Sequence, residues 1–322
     1  MTDRILEYVN SNARSVAKKY PGKKILTLAY TEATSRLPTR VLPDSNVMVM
    51  YCPYPPQTMC ISHGLECPKN RIGLMELKGW LSKCPNNMYI FDYPRNYTIW
   101  YEPLGSFYGM VSKMNLYSSV GIKGIIQCVV PTSFTDLFIF VYGKLLWDPK
   151  ADVEEAIDEF MLAYYGLAAP AVREYFNYMH QEIESRQIHQ LGADTQLLVT
   201  ASYADKALEI LEQAQTAVTN DTVRLRRVEA EKFCVLWSDI NQRNTIKNNL
   251  SVSLEKHIQH FGEMVRIARD MKVMTVRNES EGQPNFKEWV KEVAPMELQS
   301  DPWYNDPAVD ILIANPENLF NY

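Results

Sequence analysis

Along the first half of the chain, short apolar runs alternate with longer stretches in which apolar residues recur every three or four positions. The opening segment sets Ile5, Val9, Ala13, Val16 and Ala17 at helical spacing and stops at "YPGKK". Four strand-like runs follow: "KILTLAY" (Lys24 to Tyr30), "NVMVMYC" (Asn46 to Cys52), "MYIFDY" (Met88 to Tyr93) and "IKGIIQCVV" (Ile122 to Val130). Each is apolar almost throughout instead of strictly alternating, the pattern of strands buried on both faces. Ile72 to Lys83 has a helical pattern in Leu74, Met75, Leu77 and Leu81, and Phe107 to Ser119 has one in Met110, Val111, Met114 and Tyr117. Strands separated by helices predict parallel β/α units with right-handed crossovers. "TDLFIFVYGKLLWDP" then supplies another apolar helix.

From Asp148 the period changes. Val153, Ile157, Phe160, Met161 and Tyr164 share one helix face, and Gly166 is a natural stop. Pro170 suits the first turn of the next helix, which carries Val172, Tyr175, Phe176, Met179 and Ile183. Three more amphipathic helices are expected near 203–218, 221–242 and 250–272. The expected organisation is an α/β region over 1–147, an all-α bundle over 148–275 and a C-terminal extension over 276–322 packing on the preceding domains.

Composition narrows the function. At 46% hydrophobic and 22% charged, the chain has the make-up of an ordered globular protein. A net charge of −5 without any Lys/Arg-rich block disfavours nucleic-acid binding through phosphate neutralisation. No run approaches the roughly 18–20 apolar residues that span a bilayer, and the polar opening is not a secretory signal. Among the six cysteines, Cys52, Cys60 and Cys67 are spaced too widely for a C-x2–4-C knuckle, and no H-x3–5-H pair accompanies them. Free buried thiols, with neither metal nor organic cofactor, are therefore expected. His257 and His260, three apart on a predicted helix, read as surface residues.

In parallel α/β architectures ligands sit at the carboxyl ends of strands. Those ends offer Tyr30, Thr31 and Glu32, then Cys52, Pro53 and Tyr54 with His63 in the following loop. Asp92, Tyr93 and Arg95 come next, and Gln127 and Cys128 last. Asp92 is the sharpest: a carboxylate at a buried strand end loses hydration unless it is paired or hydrogen-bonded. It either serves chemistry, or caps a turn, or pairs with Arg95. Tyr93, Arg95, Tyr30, Glu32, His63 and Gln127 are the accompanying substrate-binding candidates. Trp100 and Tyr101 form either an aromatic platform or packing for the next helix. Glycoside hydrolysis takes two carboxyl groups about 5–9 Å apart; Asp92 and Glu32 are on offer, and no Glu is placed as proton donor.

"LLWDPKADVEEAIDEFMLAYYGLAAPAVREYFNYM" resembles the signature of a bacterial family known as domain of unknown function 4838. The resemblance extends upstream through "KKYPGKKILTLAY", "NVMVMYC", "MYIFDYPRNY" and "GIKGII", and downstream through "RLRRVEAEKF", over residues 5 to 240 or so. It implies glycosidase-like architecture of the α-glucuronidase and hexosaminidase type: an accessory domain, a (β/α)8 barrel and a trailing helical region. On that footing the fold class is α/β, with four parallel strands forming the C-terminal half of a TIM-type barrel before the bundle. Asp92 and Tyr93 would stand where such barrels use an Asp/Tyr pair to hold substrate, and the proton donor would precede Met1. "QCVVPTSF" departs from the family where an acidic residue sometimes follows the last strand.

The functional expectation is a glycoside-hydrolase-like, carbohydrate-active domain that needs an upstream half-barrel for catalysis. The alternative is a non-catalytic carbohydrate-binding or scaffold module. The partner is a carbohydrate, and the open sheet edge calls for cover from an N-terminal segment or another protomer. The compartment follows the family pattern, periplasmic or extracellular, if that pattern applies. Replacing Asp92 by Asn should then weaken sugar binding or turnover and leave folding intact.

Overall fold

The computed structural model describes residues 1–53, 59–96, 100–190, 198–245 and 254–273. Strands β1 (Ile25–Ala29), β2 (Val47–Tyr51), β3 (Met88–Asp92) and β4 (Ile125–Gln127) form one sheet in the order β1-β2-β3-β4, every neighbouring pair parallel. The chain weaves through α1 (Thr2–Lys19), the single turn α2 (Thr31–Thr34), α3 (Arg71–Lys83), α4 (Phe107–Ser119) and α5 (Thr135–Trp147). Helices α6 (Val153–Tyr165), α7 (Ala169–Ser185), α8 (Ala201–Ala217), α9 (Thr222–Thr245) and α10 (Leu254–Asp270) follow. The expected α/β sheet with a helical C-terminal part is thus observed. The segment 276–322 lies outside the described residues.

Register explains which side of the sheet is core. Ala29, Tyr51, Ile90 and Ile125 are successive Cα partners across all four strands. Period-2 alternation puts Val47, Val49 and Met88 on that same face, and they bury against α1, α3 and α4 through Leu6, Leu77, Trp80 and Tyr117. The opposite face is less covered: Leu26, Leu28 and Ile126 are 47%, 49% and 48% exposed. The expectation of burial on both faces therefore fails at β1 and β4, the edge strands, whose outer rows meet no covering helix among the described residues.

Polar contacts refine the rotation of α1 and correct the reading of one histidine on α10. On α1 the deeply buried side chains are Leu6, Asn10 and Ala13, a face one step round from the Ile5–Val9 stripe. Asn10 fixes that rotation by donating to the Leu42 carbonyl at 2.8 Å and accepting from the Asp44 N–H at 3.0 Å. His260, expected at the surface, is buried on α10, with Nδ1 2.9 Å from Asp239 Oδ2. The side chain of His257 is outside those described.

The helices share a second, continuous core built on Phe138, Ile157, Phe176, Tyr203, Leu211, Phe233, Trp237 and Met264. Their ends follow local chemistry. Asp152 caps α6 by accepting the Glu155 N–H at 3.0 Å, and Thr200 caps α8 by accepting the Tyr203 N–H at 3.2 Å. Gly166 takes φ +57° after α6, in the left-handed region where a Cβ would be strained and would also meet Arg224.

Candidate functional site

The carboxyl edge of the sheet presents Tyr30, Cys52, Tyr93 and Cys128, one residue following each strand in turn. Tyr30 and Tyr93 stack with ring centroids 6.2 Å apart and planes 24° from parallel, and Phe91 meets Tyr93 at 5.1 Å. The two phenols are hydrogen-bonded to each other; burial first, then this bond and the nearby Cys52 and Cys128, raise the Tyr93 pKa above the usual phenol value. Burial also pushes the Cys52 thiol up to about 12, so it is a neutral wall and not a nucleophile at neutral pH. Tyr30 and Tyr93 both remain partly accessible.

Asp92 belongs to the other face. Strand alternation turns it with Met88 and Ile90 toward α4, where Lys113 Nζ lies 3.3 Å from each carboxylate oxygen. The side chains of Asp92 and Lys113 are 2% and 3% exposed. Asp92 Oδ1 also accepts the Tyr93 N–H at 2.9 Å, which fixes the backbone where the chain leaves β3. The alternative partner considered for Asp92, Arg95, points elsewhere. Its guanidinium carbon sits 4.0 Å from the Phe138 ring centre and Nη1 donates to Ser106 Oγ at 3.3 Å, within the helical core.

The other candidates separate in the same way. Gln127 is the Cα partner of Asp92, and both atoms of its amide are shielded and without a hydrogen-bond partner among the described residues. Glu32 lies on the single turn α2, and its side chain is outside those described. Tyr101 packs edge-on against Phe233 of α9 at 5.2 Å, the packing role and not a platform. The fold therefore brings Tyr30 and Tyr93 together, places Asp92 and Gln127 beneath them on the helix side, and sends Arg95 into the bundle.

His63 sits in a second constellation. Cys60, His63, Cys67 and His189 place their ligating atoms within 4.8 Å of one another, although the cysteine spacing argues against a zinc knuckle. Cys60 Sγ is 3.0 Å from His63 Nδ1, and Cys67 Sγ is 3.4 Å from His189 Nδ1. The missed sequence signal is Cys60-x2-His63-x3-Cys67, a ligand spacing in which histidine takes a cysteine's place; the fourth member lies 122 residues beyond Cys67. All six cysteines are free thiols, as expected, and all but Cys128 are buried.

Two residues build the loop. Asn70, wholly buried, accepts the Cys60 N–H at 2.8 Å and donates to the carbonyls of Cys60 and Gly64 at 2.9 and 2.8 Å. Gln190, the chain neighbour of His189, ties that segment to the same loop: its carbonyl accepts the Ile61 N–H at 2.9 Å and its side-chain oxygen accepts from Ser62 Oγ at 3.1 Å. Helix α4 lies directly on this loop at Gly109, where a Cβ would sit 2.7 Å from the Ile61 carbonyl oxygen and 2.8 Å from Ser62.

Comparison with known proteins adds the family. A family model described as Domain of unknown function (DUF4838) matches residues 1–177. No curated protein matches the chain. Among solved structures, one described as "Structure of CpGH84B" is weakly similar, with a TM-score of 0.36 and 12% identity over 82% of this chain and 52% of that one. The chain thus spans about half the length of that structure.

Proposed function

The chain belongs to the DUF4838 family, and we propose that within it this protein is a carbohydrate-active domain that binds glycans at the carboxyl edge of its parallel sheet. The observation that carries this reading is the Tyr30–Tyr93 pair: two partly accessible rings from different strand ends, stacked at 6.2 Å and joined through their hydroxyls. Aromatic faces complement the apolar C–H faces of pyranose rings, and phenol hydroxyls meet the equatorial oxygens. Asp92 acts here as a positioning residue, holding the Tyr93 backbone from below while Lys113 balances its charge. Hydrolysis of an O-glycosyl bond would draw its acid and base from carboxyl groups other than this ion-paired one.

A second reading, a scaffold module without ligand, is favoured by that same ion pair, which commits the most conspicuous carboxylate of the strand ends to tying β3 to α4. Affinity electrophoresis of the full chain through gels carrying a panel of polysaccharides separates the two. Retardation by at least one polymer, reduced at least about tenfold in both Tyr30→Ala and Tyr93→Ala, supports glycan binding. Migration unaffected by every polymer supports the scaffold and sinks the first reading.

A further inference from the structure

We propose that Cys60, His63, Cys67 and His189 form a closed four-ligand site for a single structural Zn²⁺ ion. Two thiolates and two imidazoles are a donor set that zinc takes in tetrahedral geometry, with bonds of about 2.3 Å to sulfur and about 2.0 Å to nitrogen. The edges of such a tetrahedron are about 3.3–3.8 Å. The nearest donor separations here, 3.0 Å for Cys60–His63 and 3.4 Å for Cys67–His189, and the 4.8 Å limit on all of them, bracket that size.

Three further observations point the same way. Each histidine turns Nδ1 toward a cysteine sulfur, and the two rings lie 4.9 Å apart between centroids, tilted by 53°. The far nitrogen of His63, Nε2, lies 3.4 Å from Glu184 Oε1. A carboxylate behind the imidazole is the arrangement that orients a metal-bound histidine and raises its basicity. The loop is also held before any ion arrives: Asn70 pins Cys60 and Gly64, and Gln190 pins Ser62 to the strand of chain that carries His189. Ligand placement is thus built into the buried hydrogen bonds.

Charge explains why the site tolerates burial. Binding displaces one proton from each thiol to solvent: Zn²⁺ and two Cys–SH give a zinc dithiolate and two H⁺. With two neutral imidazoles the loaded group carries no net charge, so Cys60 at 0% and Cys67 at 6% exposure bury no net charge. All four positions are protein donors, leaving no open coordination position for chemistry. The ion clamps the loop before α3 to the segment after α7, joining the sheet region to the helical region across 122 residues of sequence.

The test begins with the wild-type full chain. After dialysis against metal-free buffer, elemental analysis should find about one zinc per chain. Replacement by Co²⁺ should give the strong visible bands of a tetrahedral ion and a thiolate-to-cobalt charge-transfer band in the near ultraviolet. Cys67→Ser and His189→Ala should each hold less than about a tenth of the wild-type zinc. Stripping wild type with a chelator should lower Tm by at least about 5 °C, reversed by Zn²⁺. A wild-type protein that keeps no zinc and binds Co²⁺ only as a pale six-coordinate ion would overturn the proposal. So would zinc retained equally in both variants, iron in place of zinc, or a Cys60–Cys67 disulfide that persists when zinc is supplied. The wild-type measurements decide the matter even if a variant does not fold.

Discussion

Lys113 and Asp92 form an ion pair sealed between β3 and α4, the ammonium 3.3 Å from both carboxylate oxygens. Each side chain is desolvated, so each depends on the other for its charge to be tolerated.

Removing one partner therefore costs more than the pair contributes. Asp92→Asn, which the sequence alone marks as harmless to folding, should destabilise the protein by about 3–5 kcal/mol because it strands a buried ammonium. Lys113→Met should do the same by stranding the carboxylate. The double variant Asp92→Asn/Lys113→Met should recover most of the loss. Urea denaturation of the four proteins checks this, and additive losses in the double variant would refute a coupled pair.

Glu102 and Glu231 set a pH dependence. Both are buried; burial pushes each carboxyl up to about 8, against the opposing bonds from Asn96 to Glu102 and from the Phe134 N–H and Tyr165 hydroxyl to Glu231. The folded chain then holds protons that the unfolded chain has released. The stability each neutral acid supports is fully present below the ordinary Glu value of about 4.3 and is lost as pH rises through about 8. Thermal unfolding should show Tm falling between about pH 5 and about pH 9. Glu102→Gln and Glu231→Gln should each flatten that decline; a profile unchanged by both would mean the acids are ionised in the fold.

Trp80 anchors α3 to the first crossover. It is 1% exposed and its indole N–H donates to the Ser35 carbonyl at 2.8 Å. Trp80→Ala should cost about 3–5 kcal/mol through the cavity alone, and Trp80→Phe less, mainly the bond left unmade at Ser35. Chemical denaturation midpoints order the three proteins.

Leu26 and Leu28 lie on the open face of β1, each about half exposed. Replacing both by Thr, which keeps strand propensity, should change folding stability by less than about 0.5 kcal/mol each. The same change should lower binding of a hydrophobic dye and raise the concentration at which the protein stays in solution.

Much of this architecture is legible in the chain. The apolar runs locate all four strands, and Met110, Met114 and Tyr117 locate α4, whose observed limits coincide with the expected Phe107–Ser119. The site is less legible because side chains alternate. Asp92 and Tyr93 are adjacent in sequence yet serve opposite faces, and a strand's last residue is read as rim or interior only once its register is known. Lys113 sits in the stripe Met110–Lys113–Met114–Tyr117, and a charge inside an apolar stripe is a signal of buried pairing whose partner no local pattern names. The metal-ligand pattern is half local: Cys60-x2-His63-x3-Cys67 is visible along the chain, whereas His189 joins it only through the folded contact with Gln190 and Ser62.

The close approach at Gly109 gives α4 a double attachment. One turn of the helix rests on the backbone of Ile61 and Ser62, between two of the sulfur and imidazole donors, and the next turn carries Lys113 to Asp92 under Tyr93. A displacement of this helix is shared by the cysteine loop and the tyrosine rim. Thermodynamic reciprocity then demands that any effect of an ion at the proposed zinc site on the proposed glycan affinity be matched by the same factor in the reverse direction, so titrating either against the other measures the coupling free energy between the two ends of this helix.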